Sequence, residues 1–476
     1  MSKTFGADQG VIVVSNRLPV SLECSGGTCY SSPVSGGLVT ALSPVLTVNK
    51  GTWIGWSGAP DVEGVDEALR LFSKETGYTL QQVGLTSEQI EKFYFGFTNQ
   101  IIWPLFHDSQ FECNFDPDFW QTYLDVNALF ACRTVESGEP DDYVWVHDYH
   151  LMHVAKYMRE AGDNRRTGFF LHIPFPSADS FRRLPWRSEL LHGLLEYDQI
   201  GFQTLHDRRN FIQAISVLAP HIKVTGRGQV VTAKVGTRSV KIGAFPISID
   251  YKKFYRTARS AAVRTHAQEV HNAFPHKNIV LGVDRLDYTK GIPQRLQAMH
   301  KLLTMYPELQ GEISLLQVVV PSRATIPLYA KLKKQIERLV GQINGEFSKP
   351  GYVPIHYQYR NLAFDELLAY YRASRIALVT PLRDGMNLVA KEYCAANVER
   401  NGTLILSEFA GAAAQLRNGA ILVNPFDVEG VAAAIHQAYT MEEGERRRRM
   451  DRMRESIRKN DIFKWVDSFF ASAFTT

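Results

Sequence analysis

The sequence predicts an α/β protein made of two doubly wound domains with parallel sheets. Three observations carry that reading. Short β-branched or aromatic runs alternate with longer helical patterns along nearly all of the 476 residues. The strand runs are apolar on both faces, as in sheets covered by helices on both sides. The alternation also starts afresh after Phe245-Pro246-Ile247, where a strand-rich stretch from Gln229 to Gly243 gives way to a helical segment from Tyr251 to Ala273.

In such sheets ligands bind beyond the carboxyl ends of the strands, so the polar residues after each strand matter most. The first strand, Val11 to Val14, ends in Ser15-Asn16-Arg17-Leu18-Pro19-Val20. Ser35-Gly36-Gly37-Leu38 then opens a helix predicted to run to Pro44. Paired glycines let backbone approach a phosphate closely, but they are also ordinary turn punctuation. Phe93-Tyr94 and Trp103-Pro104-Leu105-Phe106-His107 form an aromatic cluster, read as core or as a wall for sugar rings. The strand Tyr143 to His147 leads into Asp148-Tyr149-His150-Leu151-Met152-His153. Asp148 is either a helix cap or an acceptor for hydroxyls. His150 and His153 are expected to share a helix face, which raises a metal site, but no fourth ligand stands at useful spacing. After Phe169 to Leu171, His172 precedes Ile173-Pro174-Phe175-Pro176, and the prolines hold it rigidly.

In the second half, the strand Ile279 to Val283 ends in Asp284-Arg285-Leu286-Asp287-Tyr288-Thr289-Lys290-Gly291. Arg285 and Lys290 are presented beside a helix start at Gly291, suited to a diphosphate. The alternative is a surface ion pair of Arg285 with Asp284 or Asp287. The strand Ser314 to Val320 ends in Pro321-Ser322-Arg323. The most informative stretch runs from the strand Ile376 to Val379 through Asp384-Gly385 into a helix carrying Glu392. A strand–loop–helix turn aims free N–H groups and the positive end of a helix at whatever sits above the sheet. Asp384 is expected at the mouth and Glu392 about two turns in. A last strand, Thr403 to Leu406, follows, and the amphipathic, aromatic-rich segment Ile462 to Phe470 is expected to dock on another element.

Composition narrows the function. Apolar residues make up 45% and charged residues 21% of the chain, as in ordinary soluble enzymes. Lys and Arg number 53 against 49 Asp and Glu, an excess of 4 that argues for neither nucleic acid nor membrane. The Arg446 to Arg449 run reads as a solvated helix face. The five cysteines include no CxxC pair, so neither a disulfide framework nor a zinc site is expected. Met1 to Gly10 is polar, and no apolar run approaches the ~18 residues of a membrane span. A cytoplasmic, reduced protein is the expectation. No G-x-G-x-x-G occurs, so a dinucleotide site is not supported.

Taken together, S-N-R-L-P-V, G-W-S-G (Gly55 to Gly58), H-D-Y-H-L, H-I-P-F-P, D-R-L-D-Y-T-K-G and D-G-M-N-L-V-A-K-E closely resemble the trehalose-6-phosphate synthase family, retaining glycosyltransferases of family 20. The resemblance spans about Val11 to Phe470 and has a fungal look. It implies a GT-B fold: two Rossmann-like domains facing a central cleft, with a C-terminal helix docking back on the first. The implied domains are 1–246, holding the acceptor glucose 6-phosphate, 247–455, holding the donor UDP-glucose, and a C-terminal helix in 456–476 packing on the first. On the donor side it implies Arg285 and Lys290 on the diphosphate, Glu392 on the ribose, and Leu362 backbone at the uracil. It also implies Asp384, Gly385, Met386, Asn387, Leu388 and Val389 on glucose and phosphates, Gly36 and Gly37 in a flexible loop, and His172 beside the transferred glucose. On the acceptor side it implies Arg17, Tyr94, Trp103 and Arg323 around glucose 6-phosphate, Asp148 on its sugar, and Trp56 lining the cleft. Arg285, Lys290, His172 and Asp384 are the implied catalytic set. The implied reaction gives α,α-trehalose 6-phosphate and UDP by front-face attack without a covalent intermediate. No cofactor and no structural or catalytic metal are expected. The expected partners are the two substrates, with self-association or membership of a synthase/phosphatase complex. No D-x-D-x-T motif occurs, so a fused phosphatase is not expected. The rivals are a pseudo-glycosyltransferase acting on cyclitols and a non-catalytic sugar-phosphate sensor.

Overall fold

In the computed structural model, which describes residues 10–25, 28–33, 37–58, 64–109, 113–274, 278–323 and 326–474, the apolar runs fold as strands of two large sheets. The strands are β1 Val11–Arg17, β2 Val20–Ser25, β3 Thr28–Pro33, β4 Thr52–Trp56, β5 Thr79–Gln82, β6 Tyr143–His147, β7 Thr167–Phe170, β8 Gln199–Phe202, β9 Lys223–Thr225, β10 Val230–Val235 and β11 Arg238–Ala244. After the chain crosses into its second half come β12 Ile279–Arg285, β13 Ser314–Val320, β14 Ile355–Tyr359, β15 Ile376–Val379, β16 Thr403–Ser407 and β17 Ile421–Val423.

The chain divides into two compact units, Met1–Ile247 with Phe463–Thr476, and Ser248–Ile462. The helix Glu443–Lys459 therefore stays with the second unit, and the return to the first begins at Phe463, later than the expected 456.

In the first unit the sheet order is β5-β4-β1-β6-β7-β8-β11-β10-β9. Its first seven strands are parallel, and the strand order reverses between β1 and β6 as in doubly wound sheets. Val11 to Val14 and Tyr143 to His147 are buried along their full length, as expected for strands covered on both faces. The C-terminal helix Ile462–Phe474 docks on this unit. Phe469 stacks on Trp145 with centroids 4.5 Å apart, Trp465 lies 5.1 Å from the same ring, and Gln199 donates to the Phe469 carbonyl at 3.0 Å.

The second unit has the order β14-β13-β12-β15-β16-β17, entirely parallel, with its reversal between β12 and β15. Its core packs Ile292, Leu296, Met299 and Leu303 of one helix and Ile435 of another against Val280, Leu315, Val319 and Ile405 of the sheet.

Four local expectations are corrected. The helix opened by Gly37 continues past Pro44 to Asn49, because Ala41, Leu42 and Leu46 form one buried stripe. The predicted single helix Tyr251 to Ala273 is two, since Ser260 caps a new start by accepting the Val263 N–H. His150 and His153 share no helix face: a turn precedes a helix beginning at Val154. Cys29 is disulfide-bonded, and its register partner across the β2–β3 hairpin is Cys24. The intervening Ser-Gly-Gly-Thr is a turn sequence, a spacing the absence of CxxC did not exclude.

Candidate active site

The loops at the two strand-order reversals hold most of the implicated side chains. In the second unit, the loop after β12 and the loop after β15 are drawn together. Leu382 N–H donates to the Thr289 carbonyl at 2.7 Å, and Lys290 Nζ meets Asp384 Oδ2 at 2.6 Å with both side chains mostly shielded from solvent. Asn387 Nδ2 also donates to Asp384 Oδ2, at 3.1 Å. Gly291 takes a left-handed φ of 65°, and a Cβ there would strike the Thr380 carbonyl. Only glycine lets the two loops approach so closely.

Asn387 is the cap of the helix Leu388–Ala396, its side chain accepting the Ala390 N–H at 3.3 Å from a left-handed φ of 68°. The N–H groups of Leu388 and Val389 point out of the first turn with no carbonyl available within the helix. The helix begins at Leu388, so Glu392 lies about one turn in, not two. Glu392 is half-buried, and its Oε2 accepts from the Tyr371 hydroxyl at 2.8 Å. Burial raises the Glu392 pKa, and the Tyr371 hydrogen bond opposes the shift.

A buried pair braces the same loops from below. Arg295 donates to Asp284 at 2.6 Å, to Gln317 at 3.1 Å, to Thr380 at 3.2 Å and to the Lys290 carbonyl at 3.4 Å. Asp284 and Asp287 therefore do not pair with Arg285. Asp287 faces Arg323 at 3.3 Å and also bonds Thr289, and Arg323 donates to the Tyr329 hydroxyl at 2.7 Å. Burial pushes the Asp287 pKa up, but Arg323, Lys290 and Arg285 together bring it below the usual value. Arg285 itself is exposed and forms no ion pair among the described residues. Leu362 is half-buried in the loop between β14 and the helix Phe364–Ala373.

In the first unit, Arg17 leaves the end of β1 and lays its guanidinium over the Trp56 ring, 4.3 Å from the centroid. A Cβ on Gly58 would run into that guanidinium, so the second glycine of Gly55 to Gly58 makes its space. Tyr94 meets Trp56 edge-on at 5.8 Å and stacks on His150 at 6.1 Å. Surrounding protein lowers the Arg17 pKa, with Tyr94 acting in the opposite sense. Trp103 is buried against His107 and Tyr149, with centroids 4.2 and 5.9 Å away.

Asp148, after β6, has a φ of 75°. Its Oδ1 accepts the His172 N–H at 3.2 Å. The His172 ring bonds on both sides: Nε2 is 3.1 Å from His147 Nδ1, and Nδ1 is 3.5 Å from Gln203 Nε2. Gln203 Oε1 is taken by the Ile247 N–H, so its amide nitrogen faces His172 and His172 Nδ1 must accept. The His172 proton then sits on Nε2 and is donated to His147. Burial keeps His172 neutral, with its pKa lowered to about 3. Of the six non-glycine residues with positive φ among the described residues, Asp148, Arg323 and Asn387 are implicated site residues. Such strain collects where a fold over-determines a functional position.

Gly36 lies outside the described residues, and Gly37 is the first residue of its helix. Among the described residues no group of three or more His, Cys, Asp or Glu could hold a metal ion. No helix there is long and apolar enough to cross a membrane.

Residues 9–474 match the model of glycosyltransferase family 20. The chain belongs to glycosyltransferase family 20. Among its relatives, the trehalose-6-phosphate synthase of Mycolicibacterium smegmatis is 40% identical over 100% of this chain and 94% of its own length. That of Mycobacterium tuberculosis H37Rv is 41% identical over 98% and 95%. An E. coli structure bound with UDP-2-fluoro glucose superposes with a TM-score of 0.87 at 36% identity, over 98% of this chain and 99% of that one. The Burkholderia xenovorans α,α-trehalose-phosphate synthase (UDP-forming) in complex with glucose-6-phosphate gives 0.88 at 32%, over 98% and 100%. As a family 20 member this chain is a glycosyltransferase with the GT-B fold.

The motifs that carried the resemblance are strand-end loops, and the fold joins them pairwise: Arg17 with Trp56 and Tyr94, Asp148 with His172, Lys290 with Asp384 and Asn387. Not anticipated from sequence were Tyr371, Arg295, His147 and Gln203, which contact these residues from behind, nor that Asp287, weighed as a partner of Arg285, pairs with Arg323. The Tyr370-Tyr371 pair reads as helix core, and His147 as the last residue of a buried strand. Asp287 stands two residues past the end of β12, in a loop the sequence already singles out.

Proposed function

We propose that this family 20 enzyme transfers glucose from UDP-glucose to the anomeric hydroxyl of glucose 6-phosphate with retention, releasing UDP and α,α-trehalose 6-phosphate. The observation that carries the reading is the meeting of Lys290, Asp384 and the capped start of the Leu388–Ala396 helix at the strand-order reversal of the second unit. A cation, a carboxylate and a helix N-terminus there suit a diphosphate-linked sugar.

The second unit binds the donor. Arg285, Lys290 and the N–H groups of Leu388 and Val389 take the diphosphate, Glu392 the ribose, and Leu362 the base. Asp384 to Asn387 hold the glucose, and Gly36, Gly37 and His172 keep the donor-side roles that the resemblance implies. The first unit binds the acceptor. Arg17, Tyr94 and Trp103 cradle the phosphorylated sugar against Trp56, Asp148 accepts from its hydroxyls, and Arg323 is assigned to the acceptor's phosphate. Because both His172 nitrogens are engaged, the residue acts as a neutral, fixed surface rather than as an acid or base.

A double displacement needs a free carboxylate beneath the anomeric carbon. Asp384 is held by Lys290 and Asn387, and Glu392 by Tyr371. The reading is therefore front-face attack through an oxocarbenium-like state, the departing diphosphate oxygen accepting the incoming hydroxyl's proton. The protein's contribution is positioning and stabilisation of the leaving charge by Lys290, Arg285 and the helix terminus. The reaction requires no cofactor or metal, the enzyme works in the cytoplasm, and it self-associates or joins a synthase/phosphatase complex.

A product assay tests this. Purified protein is given UDP-, GDP- or ADP-glucose with glucose 6-phosphate, with and without chelator. Chromatography and NMR should show α,α-linked trehalose 6-phosphate forming with UDP release, undiminished by chelator. Binding without turnover would instead favour the sensor.

A further inference from the structure

The Glu392 carboxylate has one hydrogen-bond partner among the described residues, the Tyr371 hydroxyl at 2.8 Å from Oε2. Tyr371 lies on the helix Phe364–Ala373, is 1% exposed, and its ring meets Tyr393 nearly perpendicularly at 6.2 Å. The phenol thus cannot swing away. Glu392 is half-buried, so its other oxygen stays reachable from outside. A glutamate with one oxygen pinned from behind has a fixed carboxylate plane. Unpinned, its terminal torsion is broad and the two oxygens wander.

We propose that Tyr371 is a positioning residue for nucleotide recognition: it clamps one oxygen of Glu392 and so sets how strictly the enzyme demands a ribose with free hydroxyls. The proposal rests on the donor reading, in which Glu392 meets the ribose. A pinned acceptor pairs with hydroxyls at a single geometry. A nucleotide lacking them then leaves a half-buried carboxylate without compensation, which is how a hydrogen-bonding site rejects an analogue. Tyr371 touches no substrate in this scheme and acts through Glu392 alone. Its burial as a ring is shared with any core tyrosine, but its control of ribose selectivity would not be.

The test is calorimetric titration of the intact protein with UDP and with 2′,3′-dideoxy-UDP, for wild type, Tyr371→Phe and Glu392→Gln. The phenylalanine keeps the ring and removes only the hydroxyl, and near-UV circular dichroism checks that packing persists. Wild type should prefer UDP over the dideoxy analogue by about tenfold or more. Tyr371→Phe should weaken UDP by roughly the same factor and leave the analogue nearly unchanged, collapsing the preference. The KM for glucose 6-phosphate should not move. If Tyr371→Phe weakens both ligands equally, or neither, Tyr371 is only a core residue and the proposal fails. If Glu392→Gln itself retains the full preference, the ribose assignment falls first and takes the proposal with it.

Discussion

At the scale of single residues, the site is a set of charges held at short range by partners distant in sequence. Lys290 and Asp384 are 94 residues apart and 2.6 Å in space. Lys290 is the compact cation closest to the proposed leaving group, so Lys290→Ala should lower kcat by about 10²-fold or more, since oxyanion-type contacts act mainly in the transition state. Steady-state kinetics with both substrates saturating checks this, and a near-normal kcat would remove Lys290 from its role. Arg323 is anchored by Asp287 and Tyr329. Arg323→Ala should chiefly raise the KM for glucose 6-phosphate. A rise confined to UDP-glucose would move Arg323 to the donor side. These motifs were visible in the sequence because they follow strands, where ligands bind in doubly wound sheets. Their partners were not visible: nothing local distinguishes Tyr371 or Arg295 from any other helix residue until the helices are packed.

At the scale of elements, the helix Leu388–Ala396 is held at both ends. Asn387 caps its start, and Arg454 of the helix Glu443–Lys459 donates to the carbonyls of Cys394, Ala395 and Asn397 at 2.8, 3.0 and 2.7 Å at its end. The Arg454 guanidinium also lies over Tyr251 and Tyr255, 5.7 and 5.4 Å from their centroids. A positive group at a helix C-terminus satisfies orphan carbonyls and complements the helix dipole. Arg454→Met should destabilise the fold by about 2–4 kcal/mol, since three buried acceptors lose a charged donor. Urea unfolding measures the loss, and an unchanged midpoint would mean water replaces the guanidinium. Element existence was mostly legible from apolar periodicity. Boundaries were less so. Pro44 reads as a stop, yet the buried stripe of Ala41, Leu42 and Leu46 carries the helix through it, while Ser260 silently divides one predicted helix into two.

At the scale of the whole molecule, buried histidines tie stability to pH. His147 and His153 are fully buried, and burial lowers the first well below its ordinary 6.5 and the second to about 3. The unfolded chain binds these protons near 6.5, whereas the folded form resists them until far lower pH. Stability is therefore complete above 6.5 and is lost as pH falls below it. At pH 5.5 each histidine should cost roughly 1.4 kcal/mol relative to neutral pH. His172, also lowered to about 3 by burial, adds to them, so Glu392, whose pKa burial raises and whose sign is opposite, is one group against three. Tm should decline from pH 7 to 5.5, and a flat profile would mean these histidines are charged in the fold.

The sequence by itself determined the alternation of strand and helix, the two doubly wound sheets, the docking C-terminal helix and the strand-end loops in which the candidate residues stand. All of these follow from the period of apolar residues and from what can stand at a strand's end. Tertiary structure alone decided which loops meet, that both His172 nitrogens are engaged, that Glu392 is pinned from behind, and that Cys29 is disulfide-bonded. Each of those is a distance between residues that the chain's own period does not relate. Such distances exist only once helices have packed on sheets and strands have settled into register.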